Sequence, residues 1–510
     1  MSVKSFSRLS KYLISYTLIL LILVMGTKFM QNKAWFLSIF FYTSAALIFA
    51  TYTISKKTPG KYLLPGVLLL GLFHIYPAFY SGAVAFTNDS NGHQLSKDQA
   101  IEAILQDFKS PIFTDLPIKF KTLVDEKTKR VSIVFEYPAK SYWIANSRTA
   151  EKIDLDSLEF DNFGDVEFVN GQKVLANDQV GFYINQIQKL KIEIKGNTSL
   201  QPIDLETLEA STPIFKYNKS QDSLTNQLTG EKYYPNDNGQ MVSESGELLY
   251  PGWKTNIGWR NFTTVITDQQ MRTPLLAVLT WTIVNAFLVV SVGFLFGLIL
   301  ALIFNYRHLR SKRFYRTVFI IPLAIPSVLS ILVWSGLFTS ETGVIDRMFN
   351  MSTPWLTDPW WARLAVLIVE LWSTFPYMFL ISTGAIQAIP SEILEAAEID
   401  GASPVKIFSQ IKLPLVARTV APLLIASGAM ALNNFGAIYL LTGGGPTFPN
   451  SNGNAGATDI LISYTYKLAF NGQEGNNYGL ASALSILNFI LVGAISIYGL
   501  RKMKTMEEIN

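Results

Sequence analysis

The chain has 510 residues, of which 49% are apolar and 16% charged, against about 25% charged in an ordinary soluble chain, and its mean hydropathy is +0.26. Residues 87–274 hold 20 Lys/Arg and 26 Asp/Glu, net −6, while the other 322 positions hold 22 and 12, net +10. A charge-poor basic part joined to a charge-rich acidic part excludes a purely soluble enzyme, a disordered tail protein and a simple nucleic-acid binder. Cysteine is absent, and His74, His93 and His308 are far apart. Thiolate chemistry and disulfides are therefore excluded, and a His-based zinc site is not expected.

Eight stretches are apolar and long enough to cross a bilayer, which takes about 20 helical residues. The first three are Tyr12–Thr27, Ala34–Ile54 and Tyr62–Phe86. Basic residues precede the first (Lys4, Arg8, Lys11), but no small-x-small cleavage site follows, so it reads as an uncleaved span. Lys56, Lys57 and Lys61 between spans two and three, the run Arg307–Arg316 after span four, and Arg501, Lys502 and Lys504 at the end alternate with loops poorer in basic residues. That alternation predicts both termini on the cytoplasmic side and residues 87–274 outside. The first external loop, with Lys28 and Lys33, contributes least to this reading.

The external segment is domain-sized and alternates with period two at Val131–Tyr137 and Lys189–Lys195. Asn170-Gly171 between Asp165–Val169 and Gln172–Leu175 predicts a hairpin. Ser96–Phe108 predicts one helix with Ser96 as N-cap. The segment reads as an α+β module, either a docking platform for another external protein or a spacer.

Spans four to eight are placed at Leu275–Phe304, Val318–Phe338, Leu364–Ile389, Val416–Leu441 and Gly479–Leu500. Pro322 and Pro326 in span five, Pro376 in six and Pro422 in seven each remove an amide donor and are expected to kink their helices around a cavity. Glu370 is the one clear acid inside a span, followed at helical spacing by Thr374 and Tyr377. It reads as a polar group facing the cavity or as a structural carboxylate paired with a neighbour or subunit. Ser373, Thr374 and Tyr377 in span six, with Ser427, Asn433 and Asn434 in span seven, suit a neutral polyol such as a sugar; interhelical hydrogen bonding is the other reading. Phosphate-loop and G-x-S-x-G signatures are absent, so ATP hydrolysis is not expected in this chain. Gly443–Pro446 with Asn450–Asn454 reads as an external turn-rich loop.

Between spans six and seven stand Glu395-Ala396-Ala397, then Gly401, then Ile411-Lys412-Leu413-Pro414. The pattern predicts a short amphipathic helix with Ile393, Leu394, Ala397 and Ile399 on its apolar side. A glycine turn, a second short helix opened by Pro404 and a proline stop follow. Two helices at an angle make a knob able to fit a partner's cleft.

This spacing, E-A-A, three residues, Gly, nine residues, I-x-L-P, resembles the motif of membrane subunits of ATP-binding-cassette importers. Eight spans with a large insertion after the third resemble, more closely, the larger membrane subunit of bacterial maltose/maltodextrin importers. Ala85–Asn88, Pro251–Trp253, Gly258–Phe262, Phe375–Tyr377, Asn433–Phe435 and Leu441–Pro446 carry that likeness. The resemblance implies a membrane all-α fold of eight transmembrane helices with an inserted α+β periplasmic domain. Its parts would be residues 1–86 with three helices, 87–274 periplasmic, and 275–510 as a five-helix permease core. It implies a non-catalytic translocation subunit of the bacterial inner membrane, with ATP and Mg on partner ATPase subunits. It further implies a second, smaller permease subunit, two ATPase subunits, a periplasmic maltose-binding protein and an oligosaccharide cargo. By position, the family's sugar site falls on Ser373, Thr374, Tyr377, Ser427, Met430, Ala431 and Asn434. ATPase coupling falls on Glu395, Ala396, Ala397, Gly401, Ile411, Leu413 and Pro414. Ser373-Thr374 stand where the family pattern has Leu-Gly, Met430 replaces a ring, Ala431 replaces an Asn, and Glu370 replaces a neutral residue. These departures point to an α-glucoside class more firmly than to maltose itself. An ion-coupled sugar carrier and a membrane-anchored sugar sensor are the alternatives.

Overall fold

The computed structural model describes residues 3–32, 34–54, 58–107, 109–111, 118–125, 130–137, 140–146, 150–162, 164–190, 192–194, 198–305, 312–449, 451, 455–470 and 475–508. They form two compact units, Met1–Asn91 with Asn256–Asn510, and Gly92–Thr255. Of the basic residues used for orientation, Lys33, Lys56, Lys57, Arg307 and Arg310 lie outside the described residues, as do His308, Asn450, Asn452 and Asn454.

In chain order the main helices are α1 (Val3–Gln31), α2 (Trp35–Phe49), α3 (Thr58–Leu70), α4 (Tyr76–Val84), α5 (Lys97–Asp107), α6 (Arg260–Thr267), α7 (Gln269–Asn305), α8 (Lys312–Ala324), α9 (Ser327–Leu337), α10 (Val344–Phe349), α11 (Pro359–Gln387), α12 (Ser391–Ile399), α13 (Pro404–Ile407), α14 (Leu413–Leu432), α15 (Phe435–Thr442), α16 (Leu461–Phe470) and α17 (Tyr478–Glu508). Among the described residues, six helical stretches are long and apolar enough to cross a membrane, seven if α8 and α9 count as one bent span. The first expected span lies in α1, whose described apolar part, Tyr16–Gln31, is shorter.

The prolines act differently from one another. Pro326 separates α8 from α9, and the chain turns by 93° there, because proline cannot donate and keeps the preceding residue out of the helical region. Pro376 and Pro422, expected to interrupt, sit inside the unbroken helices α11 and α14. Pro376 is buried, so packing from neighbouring helices covers the local loss of an amide donor. Span seven, expected over Val416–Leu441 with its irregularity at Pro422, is instead broken further on, where α14 ends at Leu432 and α15 begins at Phe435. At the break Asn433 Nδ2 donates to the Ala429 carbonyl at 3.1 Å, and its backbone N–H to the Met430 carbonyl at 3.1 Å.

In the helical unit, α7 and α11 pack closely at Gly293 and Gly297. A Cβ on Gly297 would lie 2.6 Å from the Met378 carbonyl carbon and the Phe379 nitrogen, so only glycine permits this approach. Phe294, Leu298, Met378, Ala385, Val416 and Val420 form a core that joins α7, α11 and α14. At the mouth of the insertion, Thr87 and Asn256 pair as an antiparallel bridge. Asn261 donates to the Ala85 and Thr87 carbonyls at 2.8 and 2.9 Å, and the Phe86 ring meets those of Trp259 and Phe262.

The inserted unit, expected over 87–274, is narrower at both ends because α6 and the start of α7 belong with the helices. Its eight-stranded antiparallel sheet runs Ala150–Ile153, Tyr142–Ala145, Val131–Glu136, Ile118–Val124, Thr207–Pro213, Thr198–Pro202, Ile192–Ile194, with Lys109–Pro111 also against Thr207–Pro213. Ile133 and Phe135 face one core and Val134 another, so the central strand is buried on both sides. A five-stranded meander over residues 215–249 packs beneath α5 through Ile101, Ile104, Leu224, Tyr233 and Met241. The Asn170-Gly171 hairpin is present, both residues at positive φ and Val169 paired with Gln172. Helix α5 carries the expected cap, Ser96 N donating to Gln99 Oε1 at 3.1 Å and Gln99 N to Ser96 Oγ at 3.4 Å.

Candidate functional site: a carboxylate centre and a continuous lever

Glu370 lies midway along α11 and is 2% exposed. Its Oε2 accepts from Asn285 Nδ2 of α7 at 2.6 Å, and its Oε1 accepts from Asn434 Nδ2, at the α14–α15 break, at 2.7 Å. A carboxylate taken out of water is costly unless its lone pairs are met, and here each oxygen has an amide donor. Beside it Asn488 of α17 donates to Asn433 Oδ1 at 2.9 Å. Four amides and a carboxylate thus tie these helical segments together where span seven is broken. Glu370 is therefore a paired carboxylate with partners inside its own chain.

The positions assigned to sugar are dispersed around this centre. Ser373 and Tyr377 lie on the exposed side of α11, Ser373 Oγ donating to the Val369 carbonyl at 2.9 Å. Thr374 is half-buried and faces Gly293 of α7. On α14, Ser427 is half-buried and Met430 is 75% exposed. Ala431 is buried in a small core with Ala286 and Leu432. Asn434 is half-buried and hydrogen-bonded to Glu370.

In the E-A-A segment, α12 ends at Ile399 and Gly401 takes φ +74°, a conformation that side chains resist. Ser403 Oγ accepts from Lys406 N at 3.3 Å as the cap of α13. Glu395 and Ala396 are exposed and Ala397 is buried. Of the apolar side expected for α12, Leu394 and Ala397 face inward, while Ile393 and Ile399 are exposed along with Val405. The expected proline stop is absent. A π-turn over Phe408–Lys412 carries α13 into α14, and the stretch Pro404–Leu432 is one span-length helix. The wider turn shifts the ladder just before Pro414, so a missing donor there breaks nothing. Ile411, Leu413 and Pro414 are half-buried at that junction. Phe408 and Leu413 pack on the core shared by α7, α11 and α14.

A second polar centre, unsuspected from sequence, lies at the opposite end of α15 from Asn434. Asp459 and Lys467 form an ion pair at 2.7 Å with side chains 0% and 9% exposed. Ser463 Oγ and Gly456 N donate to the same carboxylate, each at 2.7 Å. Gly443 and Gly444 take positive φ, and a Cβ on Gly444 would collide with the Asp459 carboxylate. Burial pushes the Asp459 carboxyl above its ordinary range, with Lys467 pulling the other way. Arg363 Nε donates to the Ala457 carbonyl at 2.8 Å while its guanidinium lies over the Trp281 ring. The Gly443–Pro446 segment is thus wrapped around a buried ion pair, and α16, a buried helix, follows in a stretch to which the sequence assigned no element. The Gly-Gly-Gly-Pro run was the available signal. Asn285 and the Gly293-x-x-x-Gly297 spacing inside span four were signals too.

Residues 293–503 match the family model for the binding-protein-dependent transport system inner membrane component. Residues 68–135 match that for the N-terminal part of the transmembrane subunit in binding-protein-dependent ABC transporters. The maltose/maltodextrin transport system permease protein MalF of Photorhabdus laumondii is 33% identical over 86% of each chain. That of Escherichia coli K12 is 31% identical over 91% of this chain and 93% of its own. A solved bacterial ABC transporter involved in importing the acidic polysaccharide alginate is 23% identical over 49% of this chain and 84% of its own, with a TM-score of 0.42. The chain belongs to the family of MalF-type permeases, inner-membrane components of binding-protein-dependent ABC transport systems.

Proposed function

We propose that this chain forms one half of the translocation path of an ATP-driven importer for oligosaccharides of the maltose/maltodextrin class. It is a permease subunit, not an enzyme, and belongs with a periplasmic binding protein and ATPase partners. The second, smaller permease is taken to be MalG-like and the two ATPase subunits MalK-like, with ATP and Mg held by the latter. Both termini face the cytoplasm and the inserted unit faces the periplasm.

The observation that carries this reading is continuity. Exposed Glu395 and Ala396 sit on a knob whose second helix runs without a break, through the π-turn, into α14, and α14 ends at the Asn433-Asn434 break. Movement of the knob with a closing ATPase dimer is therefore delivered to the broken segment. Ser373, Thr374, Tyr377, Ser427, Met430, Ala431 and Asn434 are assigned to the sugar path, and Glu395, Ala396, Ala397, Gly401, Ile411, Leu413 and Pro414 to coupling. In alternating access, ATP binding opens the path toward the binding protein and hydrolysis resets it. Uncharged hydroxyl, carboxamide and phenol groups suit a neutral sugar.

The test is transport in sealed vesicles. The chain reconstituted with its second permease, ATPase and binding protein is expected to accumulate maltose or maltotriose only with ATP. Accumulation by the chain alone would overturn the reading.

A further inference from the structure

The Glu370 centre does more than cross-brace the bundle. Each carboxylate oxygen is occupied by one amide nitrogen, at 2.6 and 2.7 Å, so both asparagines are held with their nitrogens toward Glu370. Asn434 is half-buried at the end of a broken helix, where a free carboxamide could turn either edge outward. One Nδ2 hydrogen is committed to Glu370, which fixes the plane of the carboxamide and leaves Asn434 its acceptor Oδ1 for a passing hydroxyl, beside the second Nδ2 hydrogen. Asn285 is fully buried, and its Oδ1 accepts no hydrogen bond among the described residues.

We propose that Glu370 is a positioning residue of the path. It orients the Asn434 carboxamide so that its oxygen, not its nitrogen, meets a donating hydroxyl of the cargo. The proposal rests on the reading that Asn434 contacts sugar.

The experiment uses the complete complex, held with ADP and orthovanadate, and reads two quantities: the dissociation constant for radiolabelled maltose, and the amount of trapped ADP. Asn434→Ala and Glu370→Ala are each expected to raise the dissociation constant about tenfold, the upper end of what one neutral hydrogen bond is worth. The double variant should bind no more weakly than either, because the two act through one contact. Glu370→Gln should stay within about twofold of the parent. Its carbonyl can accept from Asn434 and its amide can meet Asn285 Oδ1 once that carboxamide turns. A simple brace gives a different pattern: Glu370→Ala lowers trapped ADP while the trapped fraction binds maltose normally, and that result overturns the proposal, as does additivity in the double variant. If Glu370→Ala raises the dissociation constant while Asn434→Ala leaves it unchanged, the assignment of Asn434 to cargo is what fails, and the proposal falls with it. Should Glu370→Ala not assemble, the exchanged pair decides. Asn434→Asp alone sets two carboxylates together and should abolish binding, and adding Glu370→Gln should restore it; no restoration overturns the proposal.

Discussion

Lys467 shows how much one side chain can carry. It is the counter-charge of a carboxylate with no exposure at all, and breaking such a pair from one side costs about 3–5 kcal/mol. Lys467→Met is therefore expected to lower the melting temperature of the purified protein sharply, and Lys467→Met with Asp459→Asn to recover part of the loss. The pH dependence has a definite sign. A carboxyl whose folded pKa is raised, as burial raises that of Asp459, favours folding in acid. That contribution is lost as pH rises from the ordinary value through the folded one. Without Lys467 the rise is larger, so the deficit of Lys467→Met against the parent should shrink as pH is lowered, and a constant deficit would refute the account. Gly297→Val tests a different limit: no side chain fits against the Met378–Phe379 backbone, so folded yield in detergent should fall. At this scale the sequence was partly legible. Glu370 stood out as an intramembrane acid, but its hydrogen bond from Asn434 was not foreseen and Asn285 passed unnoticed. Which amide meets which carboxylate depends on the rotational phase of three helices, and composition leaves that phase open.

Among the elements, periodicity and turn chemistry were read well, and of the four span prolines only Pro326 separates two helices. The α5 cap and the Asn170-Gly171 hairpin depend on neighbours within a few residues and formed as expected. Pro376 is buried and Pro422 exposed, and each sits inside a helix that continues past it. Hydropathy did not register the break in span seven, where Asn433 bonds back to Ala429. Gly401→Ala is expected to cost about 1 kcal/mol, because φ is +74° and not because space is short. It should reduce binding-protein-stimulated ATP turnover more than assembly, as measured by co-purification of the ATPase. Glu395→Lys, at an exposed site, should leave the fold intact and uncouple ATP turnover from uptake; coupled uptake at the parental rate would remove Glu395 from the contact.

For the whole molecule, the acidic segment announced itself by charge, and the eight-stranded sheet with its own cores explains why it can be separate. Residues 92–255 expressed alone are expected to give a cooperative thermal transition by circular dichroism, since three of the buried clusters are made entirely from them. A non-cooperative melt would show that they need the helices. Sheet order was not legible, because strands far apart in sequence pair there, Ile118–Val124 with Thr207–Pro213 among them. The π-turn at Phe408–Lys412 has a wider consequence. It leaves no break between the Gly401 turn and the broken end of α14, so in the proposed coupling role a twist applied at the knob would be passed along one helix, as by a drive shaft. Two glycines inserted after Ile407 would introduce slack. The motor would then idle, spending nucleotide at its usual pace while the solute stays outside.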